Sequence, residues 1–162
     1  MKRWMILTGC GAVLGTALIY LLLDAYAGYG QRRRVRALGA GMTAAYLCVI
    51  LWFTLQRAQI PERHIELRPF WTLAYWDQPD MRWQSYMNLF LFIPLGFLLP
   101  WTLNRPLWQT VLIGLLLSAG IEAAQFAFQL GLCETDDVIF NTLGTLIGYG
   151  EWAVFHRIHR HI

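Results

Sequence analysis

Five long apolar runs, from which charged residues are almost entirely absent, constrain the fold of this chain more than any other feature. Each run is about 18 to 24 residues long, and about 20 helical residues cross a bilayer core about 30 Å thick. Of all residues 14% are charged, yet the five runs contain only Glu122 and Glu151. The sequence therefore predicts an all-α fold, a polytopic membrane helix bundle that forms a single domain over residues 1–162. The five predicted transmembrane helices cover residues 4–23, 37–56, 86–104, 107–130 and 138–155.

Composition and motifs exclude several classes of protein. A chain that is 57% hydrophobic and 15% aromatic is neither disordered nor an ordinary soluble domain. Its three cysteines form no CxxC pair, and the sequence contains no HExxH, GxSxG or glycine-rich phosphate loop. We therefore expect no metal site and no cofactor. Because the arginines fit the orientation rule for membrane proteins, we expect membrane lipids and no nucleic acid as partners, with the oligomeric state left open.

Basic residues are distributed unevenly between the predicted loops. The loop between the first two spans, DAYAGYGQRRRVR, is short and basic, which is typical of the cytoplasmic side. We therefore predict that the N-terminus lies outside and the C-terminus lies in the cytoplasm. Residues 1–27 share features with a signal peptide, but their apolar run is longer than usual for one, so residues 4–23 are kept as a span. The residues assigned to the cytoplasmic side are Arg32, Arg33, Arg34, Arg36, Arg105, Arg157 and Arg160.

The long outer loop, residues 57–85, is rich in aromatic side chains, among them Trp71, Tyr75, Trp76 and Trp83. Tryptophan and tyrosine prefer the boundary between bilayer and water. Two interpretations follow: the loop anchors the protein at the membrane interface, or it forms a surface that contacts a lipid headgroup.

Glu122 is the most informative polar residue because it lies well inside a predicted span. It precedes the end of that span by about 12 Å at 1.5 Å per residue, and an ionised carboxylate at such depth costs at least about 2.5 kcal/mol. Ser118, Gln125 and Gln129 fall on the same face of the helix, within an arc of about 60°. One polar stripe is thus predicted to run from the middle of the membrane to the outer surface.

The last predicted helix supplies a matching polar face. Asp137 and Asn141 are four residues apart and are followed by Gly144 and Gly148, whose spacing allows helices to approach closely. The third span begins near Asn88 at the same surface, and Pro94 and Gly96 are expected to interrupt it. We therefore predict an outward-facing, water-accessible polar pocket. Its predicted ligand-binding residues are Asn88, Ser118, Glu122, Gln125, Gln129, Asp137 and Asn141.

Three roles for these groups remain open. They can hold a lipid or a lipid-linked cell-envelope headgroup, whose acyl chain would lie between the helices. Alternatively, Glu122 with Asp136 or Asp137 can act as acid and base of an intramembrane hydrolase or transferase, or as oxygen ligands of Mg²⁺ or Ca²⁺. The third role is structural, since polar side chains also fasten helices together.

Three blocks of sequence resemble the VanZ-like family of bacterial membrane proteins. NLFLFIPLGFLLP (Asn88–Pro100) is similar to its asparagine followed by an F-x-P-x-G-F segment, and the block Ser118–Gly150 is similar to its glutamate–glutamine helix, acidic turn and N-T-x-G-x-x-x-G-Y helix. RPFWTL (Arg68–Leu73) resembles the segment that often precedes the first block. Many members carry an arginine before the acidic turn, where this chain has Gly131-Leu132-Cys133, and an aspartate where it has Glu134.

This resemblance implies a multi-pass protein of the bacterial cell membrane. For the founding member it implies reduced susceptibility to the glycopeptide teicoplanin. A lipid-linked cell-wall precursor or the glycopeptide itself is then the expected partner besides membrane lipids.

Overall fold

The computed structural model describes residues 32–56 and 59–159, together with Gly15 and Ile19. Its four α-helices are α1 (Arg32–Leu55), α2 (Pro79–Leu103), α3 (Leu107–Phe128) and α4 (Thr135–His159). Between them lie a 3-10 helix (Trp71–Tyr75) and two short parallel strands, β1 (Ile65–Glu66) and β2 (Cys133–Glu134). The four later apolar runs are thus confirmed as helices, whereas the predicted span over 4–23 falls outside the described residues apart from Gly15 and Ile19.

Three of these helices are long and apolar enough to cross a membrane, judged by length and composition: α1 from Arg36 onward, α2 and α3. Helix α4 is as long as α2 but does not meet this measure. On α1 and α3, large apolar side chains such as Trp52, Trp108 and Leu116 are more than half exposed. That pattern is expected where a helix faces lipid rather than water.

Helix α2 is the centre of the bundle. Residues 92–101 are all buried, and the other described helices pack around them. Phe92, Leu95 and Leu99 form one apolar cluster with Ile50 of α1 and Ile121 of α3. Hydrogen bonds from Gln125 to Thr54, from Gln84 to Glu134 and from Ile60 to Gln129 place the end of α1, the start of α2, the end of α3 and the start of α4 at one end of the bundle, which we call the polar end.

Small residues allow α2 and α4 to approach closely. A Cβ atom on Gly144 or Gly148 would collide with the carbonyl oxygen of Leu89 or Ile93, respectively. These contacts step by four residues along both helices, so α2 and α4 run parallel in a fixed register. The predicted close approach at these glycines is confirmed, and their partner is α2.

The predicted interruption of α2 at Pro94 and Gly96 is wrong. The helix is continuous from Pro79 to Leu103 and contains Pro94 and Pro100 in its interior. Proline removes one backbone donor, and a transmembrane helix tolerates it where neighbouring groups supply another. The Tyr46 hydroxyl of α1 donates to the Leu91 carbonyl at 2.9 Å, next to the Phe90 carbonyl that the missing N–H of Pro94 would have bound.

Candidate functional site

Three carboxylates gather between the helices at the polar end. Glu122 accepts a hydrogen bond at 2.9 Å from the backbone N–H of Glu134. The Gln84 amide Nε2 lies 3.3 Å from Oε1 of Glu134 and 3.5 Å from Oδ1 of Asp137. All three acidic side chains are buried, and Gln84 is half-buried. We call Glu122, Glu134 and Asp137, together with Gln84, the acidic cluster.

The thiol of Cys133 lies close enough to all three carboxylates to interact with their charges. Burial raises the pKa of Cys133, and the nearby charges of Glu122, Glu134 and Asp137 raise it further. The charges of all three carboxylates therefore act on this one side chain of β2. Cys133 directly precedes Glu134 in β2, the strand that brings Glu134 against Glu122 of α3.

A neutral polar layer lies one turn deeper in the bundle. The amide of Asn141 on α4 donates to the hydroxyl of Ser118 on α3 at 2.8 Å. Asn88 lies one turn after Gln84 on α2 and is also buried. Oδ1 of Asn141 and Nδ2 of Asn88 have no hydrogen-bond partner among the described residues. An acceptor and a donor are thus left for water or for a polar group of a ligand.

The predicted polar stripe on α3 divides between two neighbours. Ser118 and Glu122 face α4 and β2, as expected, but Gln125 donates to the Thr54 carbonyl of α1 at 2.8 Å. Gln129 is half-buried and ends α3 in the left-handed conformation, with φ 59. Periodicity assigned all four residues to one face, but the crossing of α1 over α3 separates Gln125 from the acidic cluster.

The backbone of Gln129 leads to a stability prediction. Glycine adopts a positive φ without the steric cost that a side chain brings, so Gln129→Gly is expected to raise the free energy of unfolding by up to about 1 kcal/mol. Gln109→Gly in the first turns of α3 is the matched control and is expected to lower it by about 1 kcal/mol. Thermal unfolding in detergent, followed by circular dichroism, measures both. Equal destabilisation by the two variants would show that the side chain of Gln129 contributes more than its backbone position.

Asp136 holds the segment that connects α1 to α2, residues 59–78, which we call the connecting segment. Its two carboxylate oxygens accept hydrogen bonds from the backbone N–H of Phe70, the backbone N–H of Thr72 and the Thr72 hydroxyl. The carboxylate thereby caps the 3-10 helix, and the side chain is fully buried. Asp136 therefore points away from Glu122 and toward the connecting segment.

Further contacts fix the connecting segment to the polar end. The backbone N–H of Ile60 donates to the Gln129 carbonyl at 2.8 Å, and that of Cys133 donates to the His64 carbonyl at 3.1 Å. Arg68 binds both carboxylate oxygens of Glu66, and these hydrogen bonds lower the pKa of Glu66 to about 2. These contacts hold the segment against the end of α3 and against β2.

The structure brings some of the predicted ligand-binding residues together at the polar end and directs Gln125 toward α1. Of the seven predicted ligand-binding residues, six are buried between helices and Gln129 is half-buried. The outward-facing, water-accessible pocket stays a prediction. Packing of β2 and the connecting segment over the helix ends accounts for the burial of these predicted residues.

A shallow apolar cavity of about 710 Å³ lies at the opposite end of the bundle, where α1 begins, and is lined by Ala37, Leu38, Gly41, Met42 and Ala45.

Sequence reasoning missed two members of the acidic cluster, Gln84 and Glu134, and also the partner of Asp136, Thr72. Gln84 precedes Asn88 by one helical turn, so a polar pair at that spacing was a usable signal. Glu134 was noted only as a departure from the family's pattern, because its side chain enters the bundle through a strand that periodicity does not detect. Among the described residues, no group of three histidine, cysteine, aspartate or glutamate side chains is placed to hold a metal ion.

The architecture defines a class: a helical protein with membrane-spanning character and a buried acidic cluster at one end of its bundle. One family model and one known protein are similar to this chain. The VanZ/LLP1 family model matches residues 43–156. Protein VanZ of Enterococcus faecium is 29% identical over 125 residues, which cover 70% of this chain and 72% of that protein. No solved structure matches. The chain belongs to the VanZ/LLP1 family.

Proposed function

We propose that this protein is a multi-pass protein of the bacterial cell membrane that lowers susceptibility to teicoplanin-type glycopeptides. In this proposal the acidic cluster binds the polar headgroup of a lipid or of a lipid-linked cell-envelope precursor from the outer side. The proposal includes five membrane-spanning helices, with the polar end facing outward.

Membrane placement is supported by α1, α2 and α3, which are long and apolar enough to cross a bilayer. Helix α4 lacks that apolarity, but its polar residues Asp137, Asn141 and Thr145 are buried against other helices. A helix can cross a bilayer with polar residues when they face the bundle interior. The similarity to Protein VanZ supports a link to glycopeptides.

The observation that carries the binding proposal is the acidic cluster itself. Three carboxylates on three different elements lie together: the half-buried amide of Gln84 bridges Glu134 and Asp137, and the backbone N–H of Glu134 binds Glu122. Burying carboxylates inside a bundle is costly, and neutral amides fasten helices without that cost. Beneath them, Asn88 and Asn141 each retain hydrogen-bonding capacity. The cluster and this layer together offer acceptors and a donor suited to a sugar headgroup that carries hydroxyl and amide groups.

The experiment replaces carboxylates by amides of the same shape. Glu122→Gln keeps an oxygen that can accept the Glu134 N–H, and Asp137→Asn keeps one for Gln84, so the fold is expected to persist. We expect each variant to return the teicoplanin inhibitory concentration of a susceptible bacterium to that of cells without the protein. Glu62→Gln is the matched control, because Glu62 is exposed in the connecting segment, and it is expected to protect as well as wild type.

Expression of each variant is measured by immunoblotting of membrane fractions. Full protection by both well-expressed cluster variants would reject a binding role for the cluster. No protection by the wild-type protein would reject the glycopeptide link.

A further inference from the structure

Five large apolar side chains of the connecting segment are exposed. Leu67 is 71% exposed, and Ile65, Phe70, Leu73 and Tyr75 are 53%, 53%, 51% and 45% exposed, respectively. The segment that bears them is fixed by Asp136, by the β1–β2 pair and by the Ile60–Gln129 hydrogen bond. These side chains cannot fold inward without breaking those contacts. Several large apolar side chains exposed on one fixed segment indicate an interaction site.

Phe70 is held outward by its backbone. Its φ of 60 and ψ of 24 lie in the left-handed region, which is rare and strained for a bulky side chain. The Asp136 carboxylate stabilises this conformation by accepting the N–H groups on both sides of it, from Phe70 and Thr72. A buried carboxylate therefore offsets backbone strain while the Phe70 side chain stays more than half exposed.

The exposed patch is continuous with a helix that has membrane-spanning character. The rings of Trp76 and Tyr86 meet edge to face with centroids 5.7 Å apart, and Tyr86 lies near the start of α2 and is 44% exposed. Trp71 and Tyr75 form a second edge-to-face pair at 5.7 Å. The segment also begins just after α1 ends at Leu55 and stops where α2 begins at Pro79. Covalent continuity therefore places it at the depth where two spans leave the bilayer.

We propose that residues 65–76 lie along the lipid surface of the membrane, with Phe70, Leu73 and Tyr75 inserted between headgroups. Indole and phenol rings favour this interfacial depth, and an apolar face beside them buries its surface among the upper acyl carbons. The occupant of this surface is lipid, because the apolar patch joins α2 rather than ending in a closed groove. This inference rests on the membrane placement proposed above.

The test uses nitroxide labels in lipid vesicles. The full chain is prepared with Cys10, Cys48 and Cys133 replaced by alanine, and single cysteines are introduced as Leu73→Cys and Tyr75→Cys. Collision rates with oxygen, which dissolves in lipid, and with a nickel chelate, which stays in water, report the depth of each label. Leu116→Cys is the matched control for lipid, because Leu116 is 62% exposed midway along α3. Glu62→Cys is the control for water, because the Glu62 side chain is 79% exposed.

We expect the labels at positions 73 and 75 to collide severalfold more with oxygen than with the nickel chelate, relative to the label at 62. Labels at 73 and 75 that behave like the label at 62, while the label at 116 is in lipid, would overturn the interfacial segment alone. A label at 116 that is accessible to the nickel chelate would instead overturn the membrane placement. Labels at 73 and 75 shielded from both reagents would show a protein partner and would also overturn the proposal.

Discussion

Gly148→Ala is expected to destabilise the helix bundle by about 3 kcal/mol or more. The added Cβ would collide with the carbonyl oxygen of Ile93 and come within 2.9 Å of the backbone nitrogen of Phe97. Both are backbone atoms of the central helix α2, so no side-chain rotation can relieve the overlap, and α4 must move away. Overpacking in a well-packed core costs about 1–3 kcal/mol, and a collision with helix backbone falls at the upper end or beyond.

Gly150→Ala is the matched control two residues further along α4. A Cβ at Gly150 meets nothing within 4 Å, and alanine is favoured over glycine in a helix by about 1 kcal/mol. Thermal unfolding of both variants in the same detergent measures the difference. Unfolding of Gly148→Ala at the wild-type temperature would contradict the close parallel packing of α2 and α4.

Asp136→Asn is expected to release the connecting segment and to lower stability by about 3 kcal/mol. The carboxylate accepts three hydrogen bonds from Phe70 and Thr72, and an amide keeps only one accepting oxygen. The amide nitrogen would then face a backbone N–H, so at least one buried donor loses its partner. A hydrogen bond to a charged group contributes about 1.5–3 kcal/mol, and a buried donor left unsatisfied adds its desolvation cost.

Trypsin provides the local measurement, because the connecting segment contains Arg63 and Arg68. Cleavage after these residues is expected to be at least tenfold faster in Asp136→Asn than in wild type. Asp77→Asn serves as control, since Asp77 is exposed in the same segment and its cleavage is expected to match wild type. Equal cleavage in all three proteins would show that the segment is held by other contacts.

The buried position of Glu122 could be anticipated without coordinates, but its partner could not. A carboxylate within an apolar run must face the bundle interior, which is why Glu122 was identified. Its hydrogen-bond partner is the backbone of Glu134, in a two-residue strand that no periodicity reveals. Gln125 shares a helix face with Glu122 yet binds Thr54 of α1. A helical pattern specifies a face within about 60° but does not identify the helix that packs against it.

Local composition alone determined that residues 37–56, 86–104, 107–130 and 138–155 form helices, and that glycines at 144 and 148 permit close packing. These properties depend on hydropathy and on the absence of a side chain, both of which can be read one residue at a time. Only the tertiary structure decided that α2 is central and parallel to α4, that Asp136 supports the connecting segment, and that Gln84 joins Glu134 to Asp137. Those outcomes depend on the rotation of each helix about its axis and on the path of the loops. Contacts between residues distant in sequence determine both.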